Sequence, residues 1–84
     1  MHYSVKFVRE IKCYKNWFVL SSCFDERAFS FDKANRPEKK FSVFVGGNTM
    51  IFRNSQYRET FIVFERDFLE VVAAMKKVYD ISDE

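Results

Sequence analysis

Glycine, proline, cysteine and histidine are scarce in this chain, numbering two, one, two and one among 84 residues. Each scarcity excludes something. Structural zinc needs four ligands of the Cys/His type at short spacings, which Cys13, Cys23 and His2 do not supply. Two thiols are also too few to staple a small secreted fold. Both stand in apolar, strand-like surroundings, Ile11-Lys12-Cys13-Tyr14 and Ser21-Ser22-Cys23-Phe24, and read as reduced cysteines packed as small hydrophobes. A dinucleotide fingerprint or a P-loop requires several glycines at fixed offsets before a helix. Here Gly46 and Gly47 are adjacent and separate the strand-like runs 41–45 and 49–53, so Gly-Gly-Asn reads as a tight hairpin turn.

Other absences narrow the class further. No apolar run approaches the roughly 18 residues of a membrane-spanning helix. Met1-His2-Tyr3-Ser4-Val5-Lys6 lacks the basic-then-apolar build of a secretory signal. The expectation is a soluble, intracellular protein of the cytoplasm. His2 offers little support for a Ser-His or Cys-His pair. Carboxylates occur as neighbours (Asp25-Glu26, Asp83-Glu84) or in charge-mixed loops, with none isolated on an apolar surface where general-acid work needs a raised pKa. No catalytic residue, metal or cofactor is assigned, and a binding domain is expected in place of an enzyme.

What the chain has in excess is aromatic carbon: eleven Phe, four Tyr and one Trp. Such side chains bury roughly 150–250 Å² each, a large payload for one thin core. Tyr3-Ser4-Val5-Lys6-Phe7-Val8-Arg9 alternates apolar and polar, the period of a half-buried strand. Tyr14-Lys15-Asn16 reads as a turn, Trp17 to Phe24 as a longer strand, and Ala28-Phe29-Ser30-Phe31 as another. Residues 32–40 form a polar, proline-containing loop. The hairpin at 41–53 follows, then a polar stretch from Asn54 to Glu59 and the strand Thr60-Phe61-Ile62-Val63-Phe64. After Phe64 the period changes. Phe68, Val71, Val72, Met75, Val78 and Tyr79 form one helical stripe, with Glu70, Lys76 and Lys77 off it. Asp67 and Glu70 have capping-box spacing and place the helix start near Asp67.

The pattern predicts one α+β domain over 1–84: an antiparallel meander of about five strands over 3–64, a C-terminal helix over 67–79 packed on one sheet face, and a frayed acidic tail over 80–84. The other face is the informative one. Trp17 and Val19 oppose Phe18, Leu20 and Phe24; Phe61 and Val63 oppose Ile62 and Phe64; Phe41, Val43 and Val45 oppose Phe44. A sheet wetted on one side shows polar residues at alternate positions. This one is apolar on both, and one helix covers one side. A curled sheet, a partner subunit or a flat apolar ligand is required for the other.

Charge is unevenly spread. Residues 1–64 hold eleven Lys/Arg against six Asp/Glu, whereas residues 65–84 hold three against six. A basic, aromatic-rich sheet suits single-stranded nucleic acid, with bases stacking on exposed rings while cations follow the phosphates. The candidate residues sit at turns and strand ends: Lys12, Tyr14, Lys15 and Trp17; Arg36, Lys39 and Lys40; Arg53, Tyr57 and Arg58.

Over Lys39 to Tyr79 the order of hairpin, strand and immediate helix resembles the single-strand-binding superfamily of positive cofactor four, Whirly and Pur-type proteins. Thr60-Phe61-Ile62-Val63-Phe64-Glu65-Arg66-Asp67-Phe68 is similar to that superfamily's strand running into a helix with an aromatic in its first turn, Phe68 taking the aromatic's place. The resemblance implies a curved sheet, a helix across it, homodimers that bury exposed apolar surface, and binding of single-stranded DNA or RNA along basic strands. Arg58-Glu59 stands where that superfamily commonly has a glycine, and the chain reads one strand longer than its four. In style the chain is also similar to small bacteriophage host-takeover proteins. That likeness implies an inhibitor in the host cytoplasm, docking on a host protein through apolar and acidic surfaces.

Overall fold

The computed structural model describes residues 3–31 and 41–79. Seven strands and one helix follow in chain order: β1 (Ser4–Phe7), β2 (Glu10–Cys13), β3 (Trp17–Ser21), β4 (Glu26–Ser30), β5 (Phe41–Gly46), β6 (Thr49–Asn54), β7 (Glu59–Phe64) and α1 (Leu69–Val78). A single 3-10 turn, Glu65–Asp67, links β7 to α1. The α+β class with a C-terminal helix holds. The single meander does not, because the strands form two sheets, ordered β1-β7-β6-β5 and β2-β3-β4.

The correction originates at Val8 and Arg9. The Val8 N–H donates to Ile62 O in the first sheet, and the Arg9 N–H donates to Ser21 O in the second. The chain therefore changes sheets within the run that alternation alone presents as one strand. β1 also lies parallel to β7. Parallel neighbours cannot be joined by a hairpin and need a long crossover; here the crossover includes the whole of β2-β3-β4. The other pairings are antiparallel. The β5–β6 hairpin closes as read: Gly46 pairs with Thr49, and Gly47 adopts φ +63°.

Register divides the four-stranded sheet into two faces. Met50, Phe52, Phe61 and Val63 are fully buried and share the inner face, since Met50 pairs with Val63 and Phe52 with Phe61. Two layers cover this face. Phe18, Leu20 and Phe29 come from the second sheet, and Val72, Met75 and Tyr79 come from α1 and its C-terminal end. Phe18 is the hub: its ring contacts Phe29, Phe31, Phe52 and Tyr79 at centroid distances of 5.6, 4.9, 5.3 and 6.1 Å. Aromatic pairs at such spacings contribute about 0.5–1.5 kcal/mol beyond their area burial. The Tyr79 hydroxyl donates to Ser30 O at 2.8 Å, satisfying the polar tip of an otherwise apolar anchor.

Several local expectations change. Leu69 begins α1, Phe68 is its N-cap, and no side chain caps it; Asp67 instead pairs with Arg66 at 3.6 Å. Lys76 is buried, not turned to solvent, because Glu65 in the preceding turn holds its ammonium at 3.0 Å while its stem lies over the core. Cys13 and Cys23 are exposed thiols, not packed hydrophobes: Cys13 ends β2 at a hairpin and Cys23 lies in the turn after β3. Phe24 does not join Phe18 and Leu20 on the inner face. β3 stops at Ser21, and Phe24 stands 95% exposed in the turn.

Candidate functional site

A cleft of about 610 Å³ runs along β4, lined by Glu26, Arg27, Ala28, Phe29 and Ser30. Asn16 and Trp17 border it from the β2–β3 hairpin, and Asn54, Gln56 and Tyr57 from the β6–β7 turn. Two regions distant in sequence, each singled out for an aromatic residue, thus meet at one cleft. Both rings are half exposed, Trp17 at 52% and Tyr57 at 53%. Tyr14 abuts Trp17 edge-on at 5.9 Å, extending the aromatic strip beyond the cleft.

Arg27 explains how the cleft keeps its shape. Its guanidinium lies 4.0 Å from the centroid of the Tyr57 ring, and its Nε donates to Glu59, which is 2% exposed. Glu59 also accepts from Lys6 at 3.1 Å, and Lys6 in turn pairs with Asp25. The buried carboxylate of β7 therefore ties β1, β4 and the β3–β4 turn together. Removing one partner from such a network strands the rest, which makes it a rigid support. The hydrogen bond from Lys6 holds the Asp25 carboxyl below its ordinary pKa, and the same bond, followed by burial acting the other way, leaves Lys6 raised. Burial pushes the Cys13 thiol up.

The cleft has a definite chemistry. Asn16, Asn54 and Gln56 bring carboxamides, which can both donate and accept. The Asn54 Oδ1 accepts from the Tyr57 N–H at 3.2 Å, which orients that side chain within its turn. Lys15 and Arg58 are exposed on the two flanking turns, Arg58 with φ +52°. Such a set can hold a flat ring between aromatic faces, address polar edges through amides and meet anions at its margins. Among the described residues no group of three or more His, Cys, Asp or Glu gathers as metal ligands.

Other sequence-named residues lie elsewhere. Lys12 is on β2 and faces Glu10 at 3.7 Å. Arg53 stands on the outer face of the four-stranded sheet, its guanidinium 5.2 Å from the Tyr3 ring and 5.6 Å from Phe44. Arg36, Lys39 and Lys40 lie outside the described residues. Sequence reasoning missed Arg27, Asn16, Asn54 and Gln56. Asn-Ser-Gln-Tyr looks like any polar turn, and Asp-Glu-Arg like a solvated charge run; only the pairing with Glu59 distinguishes Arg27.

The outer face is the second notable surface. Val5 and Phe7 of β1, Ile62 and Phe64 of β7, Ile51 of β6 and Phe44 of β5 share it by register, and Phe7 stacks on Phe64 at 5.7 Å. Nothing within the described residues covers it: Val5, Phe7 and Phe44 are exposed and the others half-buried. A search against family models, curated proteins and solved structures returned no match. Among the described residues no helix is long and apolar enough to cross a membrane.

Proposed function

We propose that the protein binds single-stranded nucleic acid, DNA or RNA, in the cleft along β4, with bases stacking on Trp17 and Tyr57. The observation that carries this reading is the placement of two half-exposed rings on one cleft, with a guanidinium fixed against one of them. Exposed aromatic faces are stacking platforms for any base, contributing about 1–3 kcal/mol each, and a neighbouring arginine adds a cation–π contact. Because Glu59 already holds Arg27, little ordering cost remains for binding. Lys15 and Arg58 supply phosphate contacts from the flanking turns, and the carboxamides of Asn16, Asn54 and Gln56 meet base edges.

In the same reading the working unit is a homodimer whose copies meet through the outer face of the four-stranded sheet. The support is the row of Val5, Phe7, Phe44, Ile51, Ile62 and Phe64, which nothing among the described residues covers, a contiguous apolar surface of the kind that marks an interaction site. The cleft residues Trp17 and Tyr57 are not part of that row.

The test is fluorescence anisotropy of labelled oligo-dT and oligo-rU at low and at physiological salt. Binding is expected, weakening as salt rises through counterion return. Trp17→Ala and Tyr57→Ala are each expected to weaken it by about 5- to 150-fold, the equivalent of one lost stack. Both side chains are half exposed, so the variants should keep the wild-type melting temperature. Absence of binding at low salt by the folded protein would overturn the reading.

A further inference from the structure

A separate groove of about 360 Å³ lies on the opposite side of β1 from β7, between Val5, Lys6, Phe7 and Arg9 and the turn Ser22-Cys23-Phe24-Asp25. We infer that this groove docks an extended polypeptide segment of another protein, which adds as a strand to the free edge of β1 and places a carboxylate against Arg9.

The backbone gives the first argument. Ser4 directs its N–H to Arg58 O, just before β7, and Val8 directs its N–H to Ile62 O of β7. In a parallel ladder, successive residues turn their peptide groups to alternate sides, so those of Val5 and Phe7 face away from β7. No described strand lies there, because β1 ends its sheet. Among the described residues the edge is closed at one end only, where the Arg9 N–H reaches Ser21 O, and no main-chain partner meets it from Phe7 back to Val5. A row of N–H and C=O groups at strand spacing is matched by another main chain.

The walls give the second. The turn is rigid: the Ser22 N–H donates to Asp25 O at 2.8 Å, and the Ser22 hydroxyl oxygen accepts from the Asp25 N–H at 3.2 Å. The pair between Lys6 and Asp25 fixes the turn beside β1 and sets the groove's width. Phe24 is thereby held out in water at the rim. Apolar side chains so displayed on a braced turn are suited to alternate apolar residues of an incoming strand.

Charge gives the third argument and selects the occupant. Lys6 is satisfied by Asp25 and Glu59, whereas exposed Arg9 has no carboxylate within ion-pair distance among the described residues. A segment carrying Asp, Glu or its own C-terminal carboxylate at that end meets this cation.

The test pans a displayed library of short random peptides on the full chain and measures the recovered peptides on variants. Alternating apolar positions with one carboxylate are expected. Binding should slow iodoacetamide modification of Cys23, which lines the groove, and leave that of Cys13 unchanged. Arg9→Ala and Phe24→Ala, both at exposed side chains, should each weaken binding about tenfold or more. Val5→Pro removes an outward N–H without touching the β1–β7 bonds and should do the same. Recovery of no peptide, or of peptides that bind all three variants like wild type, would overturn the inference. So would Cys23 shielding by oligo-dT.

Discussion

Glu59, the first residue of β7, accepts from Lys6 and Arg27 while almost wholly withdrawn from water. Its two cations come from different sheets, so the network sets how the sheets meet and, through Arg27, where the Tyr57 ring stands. Glu59→Gln leaves both cations underpaired in a poorly solvated place. It should cost about 3 kcal/mol or more, read as a lower urea midpoint, and should weaken oligonucleotide binding even where the protein is still folded. Asp25 and Lys6 give a pH dependence of definite sign. The folded carboxyl of Asp25 titrates below its unfolded value, so its stabilisation is present above about pH 4 and is lost as pH falls through the lower folded pKa. Lys6 is raised, so its stabilisation is complete below about pH 10 and is lost as pH rises through the folded pKa above that. Thermal melts across pH should show a plateau between these limits, and Asp25→Asn should flatten the acid side.

Among the elements, the β5–β6 hairpin and the C-terminal helix depend on different kinds of contact. At Gly47 no heavy atom lies within 4 Å of where a Cβ would stand, so space is not the constraint; the φ of +63° is. Gly47→Ala should therefore cost about 1 kcal/mol through backbone strain alone, visible as a small fall in melting temperature with oligonucleotide binding unchanged. The helix, without a side-chain cap, depends on its buried stripe and on the anchor just past its end. Tyr79→Phe keeps the ring against Phe18 and removes its hydrogen bond to Ser30 O, for an expected loss of about 1 kcal/mol by denaturant titration. The stripe itself was readable at Val72, Met75 and Tyr79, where period and burial coincide. Lys76 was not, because its burial depends on Glu65, which a helical wheel does not include.

For the molecule as a whole, the apolar content of both sheet faces now has a specific address. The inner face is covered twice over, by the second sheet and by α1, while nothing among the described residues covers the outer face. If a second copy covers it, light scattering should give twice the 10.1 kDa chain mass, and Ile62→Lys should return the monomer without unfolding it. A monomeric wild-type mass would leave the face to a different partner. The cleft along β4 is expected to stay functional in that variant, because it lies outside the row that Ile62 belongs to.

Features that depend on near neighbours were legible in the order of residues: the Gly-Gly-Asn turn, the alternating runs, the change of period after Phe64, and the excess of rings over what one helix can cover. These are properties of local backbone geometry and side-chain spacing, and they survive in any fold the chain adopts. Tertiary structure decided what depends on residues far apart. It split the strands between two sheets at Val8 and Arg9, laid β1 parallel to β7, buried Glu59 between Lys6 and Arg27, and brought Trp17 and Tyr57 to one cleft. Alternation records only that a strand has two faces. Which strand lies beside it, and which face meets the core, is fixed by hydrogen bonds and ion pairs that span most of the chain.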